Sequence, residues 1–340
     1  MAATLKDIAE KLGLHPATVS RALNPRTAHL VNAATVTRVR RAAESMSYVP
    51  NSMAAGLRTS RSHTVGVVIP DLTNPLFPGI VRGIQDTLSR AGYTPLMVNT
   101  DNDADVEAQV VASLRARRVD GFILATARRE HPLLVELSSK LPVVLINRVT
   151  DSMQLPSVSA DNQHGIRLAV DHLVGLGHRE IGHVGGPVWS STGHERAQSF
   201  ARTMRAHGLS TARRINAVDA WSIESARDAA RRLLVANPGI TAILAANDQL
   251  AIGTIEAARS LKRRCPQDLS VVGYNDMPFM DLVDPPLTTV RVPQYDIGSE
   301  SARLMLSLLL EQEATPLKQV RLTPELVVRG STARRRAPRA

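Results

Sequence analysis

A single cysteine, Cys265, stands in 340 residues. This excludes a disulfide framework within the chain, leaves no cysteine cluster for a metal, and fits a reducing compartment. No run of about 18 apolar residues occurs, so no membrane-spanning helix is expected. The opening Met1-Ala2-Ala3-Thr4-Leu5-Lys6-Asp7 lacks the apolar centre of a secretory signal, and the expected location is the cytoplasm. Catalytic signatures are missing too. Val65-Gly66-Val67-Val68-Ile69-Pro70-Asp71, at the first strand–helix crossing, lacks the glycine trio of a dinucleotide site, and no Gly-Lys-Ser/Thr phosphate loop follows any strand. There is no Gly-x-Ser-x-Gly elbow. His178, Glu180 and His183 do not have His-Glu-x-x-His spacing, and the first two read as the end of a helix. Neither a cofactor nor a metal is expected, and an enzyme is disfavoured. Aromatic residues make up only 3% of the chain, so a ring placed just after a strand is informative.

What is present begins with size and charge. The length predicts about two or three compact units, and 44% hydrophobic residues can fill their cores. The formal net charge of +10 is unevenly placed: residues 1–62 hold nine Lys or Arg against three acids, and 331–340 hold four Arg and no acid. The stretch between them balances. A neutral body with a basic N-terminal unit points to a polyanionic partner at that end.

Residues 4–48 read as three short helices. Thr4 with Asp7 caps the first, which carries Leu5, Ile8, Ala9 and Leu12 and closes at Gly13. Pro16 opens the second, Ala17-Thr18-Val19-Ser20-Arg21-Ala22-Leu23. Asn32 caps the third, whose inner face is Val36, Val39, Ala43 and Met46. With Leu14 and His15 in the turn, the spacing is that of a helix-turn-helix. Exposed Pro16, Ala17, Ser20 and Arg21 can reach DNA, and Arg21 suits a guanine edge or a phosphate. Beyond Pro50, Asn51 caps a candidate helix over Ser52-Met53-Ala54-Ala55-Gly56-Leu57-Arg58. Two turns fall below the roughly 12–15 residues that an isolated helix needs, so this piece reads as a conditional hinge.

From Thr64 the texture alternates. Strands are expected at Val65–Ile69, Leu96–Asn99, Phe122–Ala125 and Val143–Ile146, with helices near 80–91, 104–117 and 131–139. The rhythm restarts after 161, with strands Ile181–Gly185, Ile215–Val218, Ala242–Ala245 and Val271–Tyr274 and helices near 162–176, 195–207, 223–235 and 248–260. Repeated β-α units make parallel sheets covered by helices, and two sets imply two similar subdomains with a cleft between them. Ligands of such sheets bind beyond the carboxyl ends of the strands.

Seven stretches in order carry a resemblance: Thr18-Val19-Ser20-Arg21-Ala22-Leu23-Asn24; Tyr48-Val49-Pro50-Asn51; Asp71-Leu72-Thr73-Asn74-Pro75-Leu76-Phe77; Leu176-Gly177-His178-Arg179; Ala246-Asn247-Asp248; Val271-Val272-Gly273-Tyr274-Asn275-Asp276; and Pro285-Pro286-Leu287-Thr288-Thr289-Val290. From Thr4 to about Gly330 the chain resembles the lactose/galactose repressor (LacI/GalR) family.

The fold implied is α/β: an all-α helix-turn-helix domain over 1–50, a hinge over 51–62, and a periplasmic-binding-protein-like core over 63–330. The core has two Rossmann-like subdomains, 63–161 with 291–321 and 162–290 with 322–330, and 331–340 is expected to be a disordered basic tail. The function implied is a repressor, associated with the nucleoid, that reads a near-palindromic operator as a homodimer. The tail has no leucine heptads to join two dimers. The resemblance adds Leu5, Thr18, Asn24, Tyr48 and Asn51 to the DNA-binding set, with Leu57 as a minor-groove wedge beside Met53 and Ala54.

An effector, a sugar, a sugar acid or a related metabolite, is expected in the cleft. Phe77 and Trp221 resemble the family's facing aromatics, and Arg196 its oxygen-gripping arginine. Asn247 with Asp248, and Asn275 with Asp276, follow strands as pocket residues should, although Asp248 reads as capping chemistry. Asn147 and Asn275 stand where the lactose and purine repressors carry aspartates, and Arg148 lies beside the first. This tilts the expectation toward an acidic ligand, while Asp71 and Asp161 keep a neutral sugar open. His15 replaces the usual serine cap of the recognition helix.

Overall fold

The computed structural model describes residues 3–24, 27–48, 61–310 and 318–335. It separates into one unit up to Ser62 and another from His63 onward.

In the first unit, helix α1 (Leu5–Leu12) starts on a reciprocal cap. The Thr4 N–H donates to the Asp7 carboxylate at 2.8 Å, and the Asp7 N–H donates to the Thr4 hydroxyl at 3.3 Å. Pro16 opens α2 (Pro16–Leu23), and His15 Nδ1 accepts the Ala17 N–H at 3.2 Å. Histidine therefore does the capping for which a serine would ordinarily serve. A short 3-10 turn, Ala28–Leu30, leads to α3 (Ala33–Ser45), capped by Asn32. Ile8, Val19, Ala22 and Val39 are fully buried, and Leu5, Leu12, Leu23, Val36, Met46 and Tyr48 close around them. Once α2 buries Val19 and Ala22, its opposite face presents Pro16, Ala17 and Arg21 to solvent, with Thr18 and Ser20 half-buried and Asn24 exposed at its end.

The second unit holds two six-stranded sheets. One contains β1 (Thr64–Ile69), β2 (Thr94–Asn99), β3 (Gly121–Leu124), β4 (Val143–Ile146), β5 (Ser157–Ala160) and β11 (Gln319–Leu322) in the order β11-β5-β4-β3-β1-β2, parallel throughout. The other contains β6 (Ile181–Gly185), β7 (Ile215–Ala217), β8 (Ala242–Ala245), β9 (Ser270–Asn275), β10 (Thr288–Arg291) and β12 (Glu325–Val327) in the order β12-β10-β9-β8-β6-β7. Only the β12–β10 pairing is antiparallel there. Helices α4 (Phe77–Arg90), α5 (Ala104–Ala116), α6 (Pro132–Ser138) and α11 (Gln294–Leu310) accompany the first sheet. Helices α7 (Asn162–Gly175), α8 (Ser191–Ala206), α9 (Ile223–Ala236) and α10 (Asp248–Ser260) accompany the second. Strands β1, β3, β4, β6, β8 and β9 are buried almost along their whole length, which is why β3, β4 and β8 read as unbroken apolar runs, while buried His183 interrupts β6. The chain crosses between the two sheets after β5, after β10 and between β11 and β12.

Strands β5, β10, β11 and β12 and helix α11 add to the elements expected from alternation. Ser157-Val158-Ser159-Ala160 has no apolar run, and β11 and β12 are edge strands with half-exposed faces. The expectation of a disordered tail is corrected for 331–335. The buried Ser331 hydroxyl accepts the Thr288 N–H at 2.8 Å and donates to Val271 O at 2.6 Å, and the Arg335 N–H donates to Leu176 O at 2.9 Å. Those hydrogen bonds tie the segment to β9, β10 and the end of α7.

Candidate functional site

The carboxyl ends of the two sheets face one cleft, lined by Asn74, Leu76, Phe77, Asn147, Arg148, Thr192, Arg196, Trp221, Asn247 and Asn275. The first five follow β1 and β4; the others follow β6, β7 and β8 or end β9. Phe77, at the start of α4, is nearly fully buried. Trp221 meets the cleft because position 186 is glycine: a Cβ there would fall within the indole ring. The Trp221 Nε1–H is buried without a hydrogen-bond partner.

Arg196 is buried on α8, with its guanidinium 3.8 Å from the centre of the Tyr274 ring. Its Nε donates to Asn162 Oδ1 at 2.8 Å, Nη1 to Ala246 O at 2.5 Å and Nη2 to Asn275 Oδ1 at 3.5 Å. Burial lowers its pKa, opposed by Tyr274, Glu195 and Asp248. Asn162 Nδ2 in turn donates to Glu195 at 2.8 Å, and Glu195 pairs with Arg321 on β11 at 3.0 Å. This chain of polar contacts runs from the cleft to two of the three crossings. Arg148 is held opposite by Asn102 Oδ1 at 3.0 Å, and burial, helped by the charge of Arg128, pulls its pKa down to about 10.

Trp189, from the loop after β6, joins the lobes. Arg148 and Arg128 lie 5.1 and 5.4 Å from its ring centre. The Arg129 N–H donates to Trp189 O at 3.1 Å and the Val149 N–H to Ser191 Oγ at 2.9 Å, so hydrogen bonds also bridge the lobes here. No sequence pattern marked Trp189. Thr192 was equally hidden, because Gly193 delays the apparent start of α8 to about residue 195 while the helix begins at Ser191.

The folding unit with the three helices matches, over residues 4–51, the family described as bacterial regulatory proteins, lacI family; residues 170–332 match a periplasmic binding protein-like domain. The chain is 33% identical over 331 residues to the ribose operon repressor of Halalkalibacterium halodurans, covering 97% of each. It is 32% identical over 333 residues to the transcriptional repressor CytR of Escherichia coli, covering 97% of this chain and 96% of that one. The chain belongs to the lacI family of bacterial regulatory proteins. Among solved structures, a lac repressor dimer bound to operator and the anti-inducer ONPF superposes with a TM-score of 0.85 at 29% identity, covering 98% of this chain and 100% of that one. As a family member, the protein is a DNA-binding transcription regulator with a helix-turn-helix and a periplasmic-binding-protein-like core.

In this lacI-family core, Phe77, Asn147, Arg148, Arg196, Trp221, Asn247 and Asn275 come together on the cleft. Asp71 and Asp161 do not line it, which corrects their assignment as effector ligands. Asp71 accepts the Thr73 N–H and hydroxyl in a local turn, and Asp161 caps α7 by accepting the His164 N–H. Asn247, a cleft residue, is also the cap of α10, accepting the Leu250 N–H at 2.8 Å. Asp248 does something other than the capping expected of it: it accepts the Met277 N–H at 2.7 Å and the Thr289 hydroxyl at 2.5 Å, tying α10 to β9 and β10. Asn51, Met53, Ala54 and Leu57, with the expected hinge helix, lie outside the described residues.

Complete burial raises the Asp248 carboxyl from 3.8 to about 7 against these hydrogen bonds. The folded protein therefore keeps a proton that the unfolded chain releases near 3.8, so this group makes stability fall as pH rises through that window. Asp248→Asn keeps an acceptor and cannot ionise. Denaturant titrations below and above the window are expected to show a smaller loss of stability with rising pH in the variant than in the wild type.

Proposed function

We propose that this regulator is a cytoplasmic, homodimeric repressor that reads a near-palindromic operator through residues 1–50 and changes operator affinity when a sugar-class effector occupies the cleft of residues 63–330. Leu5, Pro16, Ala17, Thr18, Ser20, Arg21, Asn24 and Tyr48 form its DNA-facing set, joined by Asn51, Met53, Ala54 and Leu57 of the hinge. Phe77, Asn147, Arg148, Arg196, Trp221, Asn247 and Asn275 hold the effector. The relatives support both halves: one is a ribose operon repressor, and another is a lac repressor dimer bound to its operator with the anti-inducer ONPF.

The observation that carries the reading is the polar chain from Arg196 through Asn162 and Glu195 to Arg321. It links a ligand-facing cation to crossings about which the lobes must turn, so occupancy and lobe angle share one set of contacts. An enzymatic reading is weaker, since no His, Cys, Asp or Glu lines the cleft among the described residues. No helix of the described residues is long and apolar enough to cross a membrane.

The test separates the two halves. An operator is first selected from randomised palindromic duplexes with the full chain. A fragment beginning at His63 is then expected to fold, dimerise and bind effector with unchanged affinity while binding no operator. Operator binding by that fragment at wild-type affinity would overturn the division of labour.

A further inference from the structure

The cleft is unusual in its balance of donors and acceptors. Among the described residues two buried arginines line it and no carboxylate does. Among the described residues neither Arg148 nor Arg196 is in an ion pair, and the acids that act on them, Glu107 for Arg148 and Glu195 and Asp248 for Arg196, are already engaged. Glu195 pairs with Arg321 and accepts from Asn162; Glu107 accepts from the Thr126 hydroxyl and lies 3.4 Å from His131; Asp248 accepts from Met277 and Thr289. Three of the four lining amides spend their oxygens inside the protein, and Asn147 is the remaining one that can still accept from a ligand. Asn74 Oδ1 accepts the Leu76 N–H at 3.1 Å, Asn247 Oδ1 the Leu250 N–H at 2.8 Å, and Asn275 Oδ1 the Arg196 Nη2 at 3.5 Å. Two lining atoms are buried and unpartnered, Arg148 Nε and Trp221 Nε1, and both are N–H donors.

A cavity walled by cations and donors lacks an acceptor-rich, negatively charged occupant. Glu107 acts on Arg148, and Glu195 and Asp248 on Arg196, but each of these acids is shared with other donors, so a ligand that brings a negative charge of its own gains attraction and further relief of the burial penalty. A neutral sugar brings hydroxyl hydrogens that find no carboxylate to receive them, and each buried unmet donor costs about 1–3 kcal/mol. The guanidinium forks of Arg148 and Arg196 match carboxylate or phosphate oxygens, and Phe77 and Trp221 offer apolar faces to a ring. We propose that the effector is an anionic sugar, a polyhydroxylated ring or chain whose carboxylate or phosphate is gripped by Arg148 and Arg196. This rests on the reading of the cleft as the effector site.

The test is a calorimetric and thermal-shift panel on the full chain. D-gluconate, D-glucuronate and D-galacturonate form the carboxylate arm, D-glucose 6-phosphate and D-ribose 5-phosphate the phosphate arm, and D-glucose, D-galactose and D-ribose the neutral arm. At least one anion is expected to bind about tenfold or more tightly than its neutral parent, and the arm it belongs to identifies the acid group. Asn275→Asp places a carboxylate beside Arg196 and is expected to reverse the preference; Arg148→Gln is expected to erase it, with unliganded melting curves confirming that each variant folds. Should a variant not fold, the wild-type panel alone decides. A neutral sugar bound as tightly as its acid, or a panel in which no anion binds, would overturn the proposal. Operator affinity measured in the same samples keeps the two readings apart. A neutral sugar that binds and alters operator affinity defeats the anionic ligand but leaves effector control standing. An anion that binds without altering operator affinity does the reverse.

Discussion

Arg196→Ala is expected to leave operator affinity near the wild-type value and to abolish the effector's influence on it. Allosteric coupling of this sort is typically worth about 1–3 kcal/mol, so a wild-type response on the order of 5- to 150-fold should collapse to none. Truncation removes the ligand-facing cation and also the anchor of Asn162, through which Glu195 and Arg321 are reached. It further leaves Asn162 Oδ1 and Ala246 O without a donor they now have, and a buried acceptor left unmet costs about 1–3 kcal/mol. A lowered melting temperature should therefore accompany the regulatory defect. Operator titrations with and without saturating effector, together with thermal unfolding, measure both. A variant regulated to the wild-type extent would remove Arg196 from the switch.

Arg21→Ala is expected to weaken operator binding by on the order of 10- to 100-fold without lowering stability. The side chain is exposed on the face of α2 opposite buried Val19 and Ala22, so its loss leaves the three-helix core intact. The pattern of the loss assigns its role. Relaxed preference at one base pair in each half-site means that Arg21 reads guanine. A uniform loss with a shallower salt dependence means that it meets phosphate. Unchanged affinity would take Arg21 off the operator altogether.

Much of this was legible in the sequence for definable reasons. Strands such as Val143–Ile146 are buried on both faces and leave a continuous apolar record, and Thr4 and Asn32 each announce a helix start by their side-chain chemistry. The cleft is legible because parallel sheets bind at their carboxyl ends and because the family resemblance assigns Phe77, Asn147, Trp221 and Asn275 to positions just after strands. Edge and crossing segments were not. β5, β11 and β12 owe their extended form to neighbours distant in sequence, as in the pairing of Ser157 with Gln319. Asp71 and Asp161 misled for the opposite reason: an aspartate after a strand suits a ligand site and a local turn or cap equally, and only the fold chooses. Ser331 reads as the beginning of a tail because its partners Val271 and Thr288 lie 60 and 43 residues away in sequence.

The clasp at Trp189 has an optical consequence. The chain has two tryptophans: Trp221 is in the wall of the cleft, and Trp189 contacts the guanidinium groups of Arg128 and Arg148 from the other lobe. Indole emission of the protein therefore comes from the cleft wall and from a contact between the lobes. One fluorophore has a buried, unpartnered N–H that an incoming oxygen would engage, and the other lies against cations that leave it when the lobes part. Intrinsic fluorescence thus reads occupancy and opening without a label. Trp189→Phe and Trp221→Phe divide the signal into its two sources: one colour change for the arriving ligand, the other for the lobes that follow it.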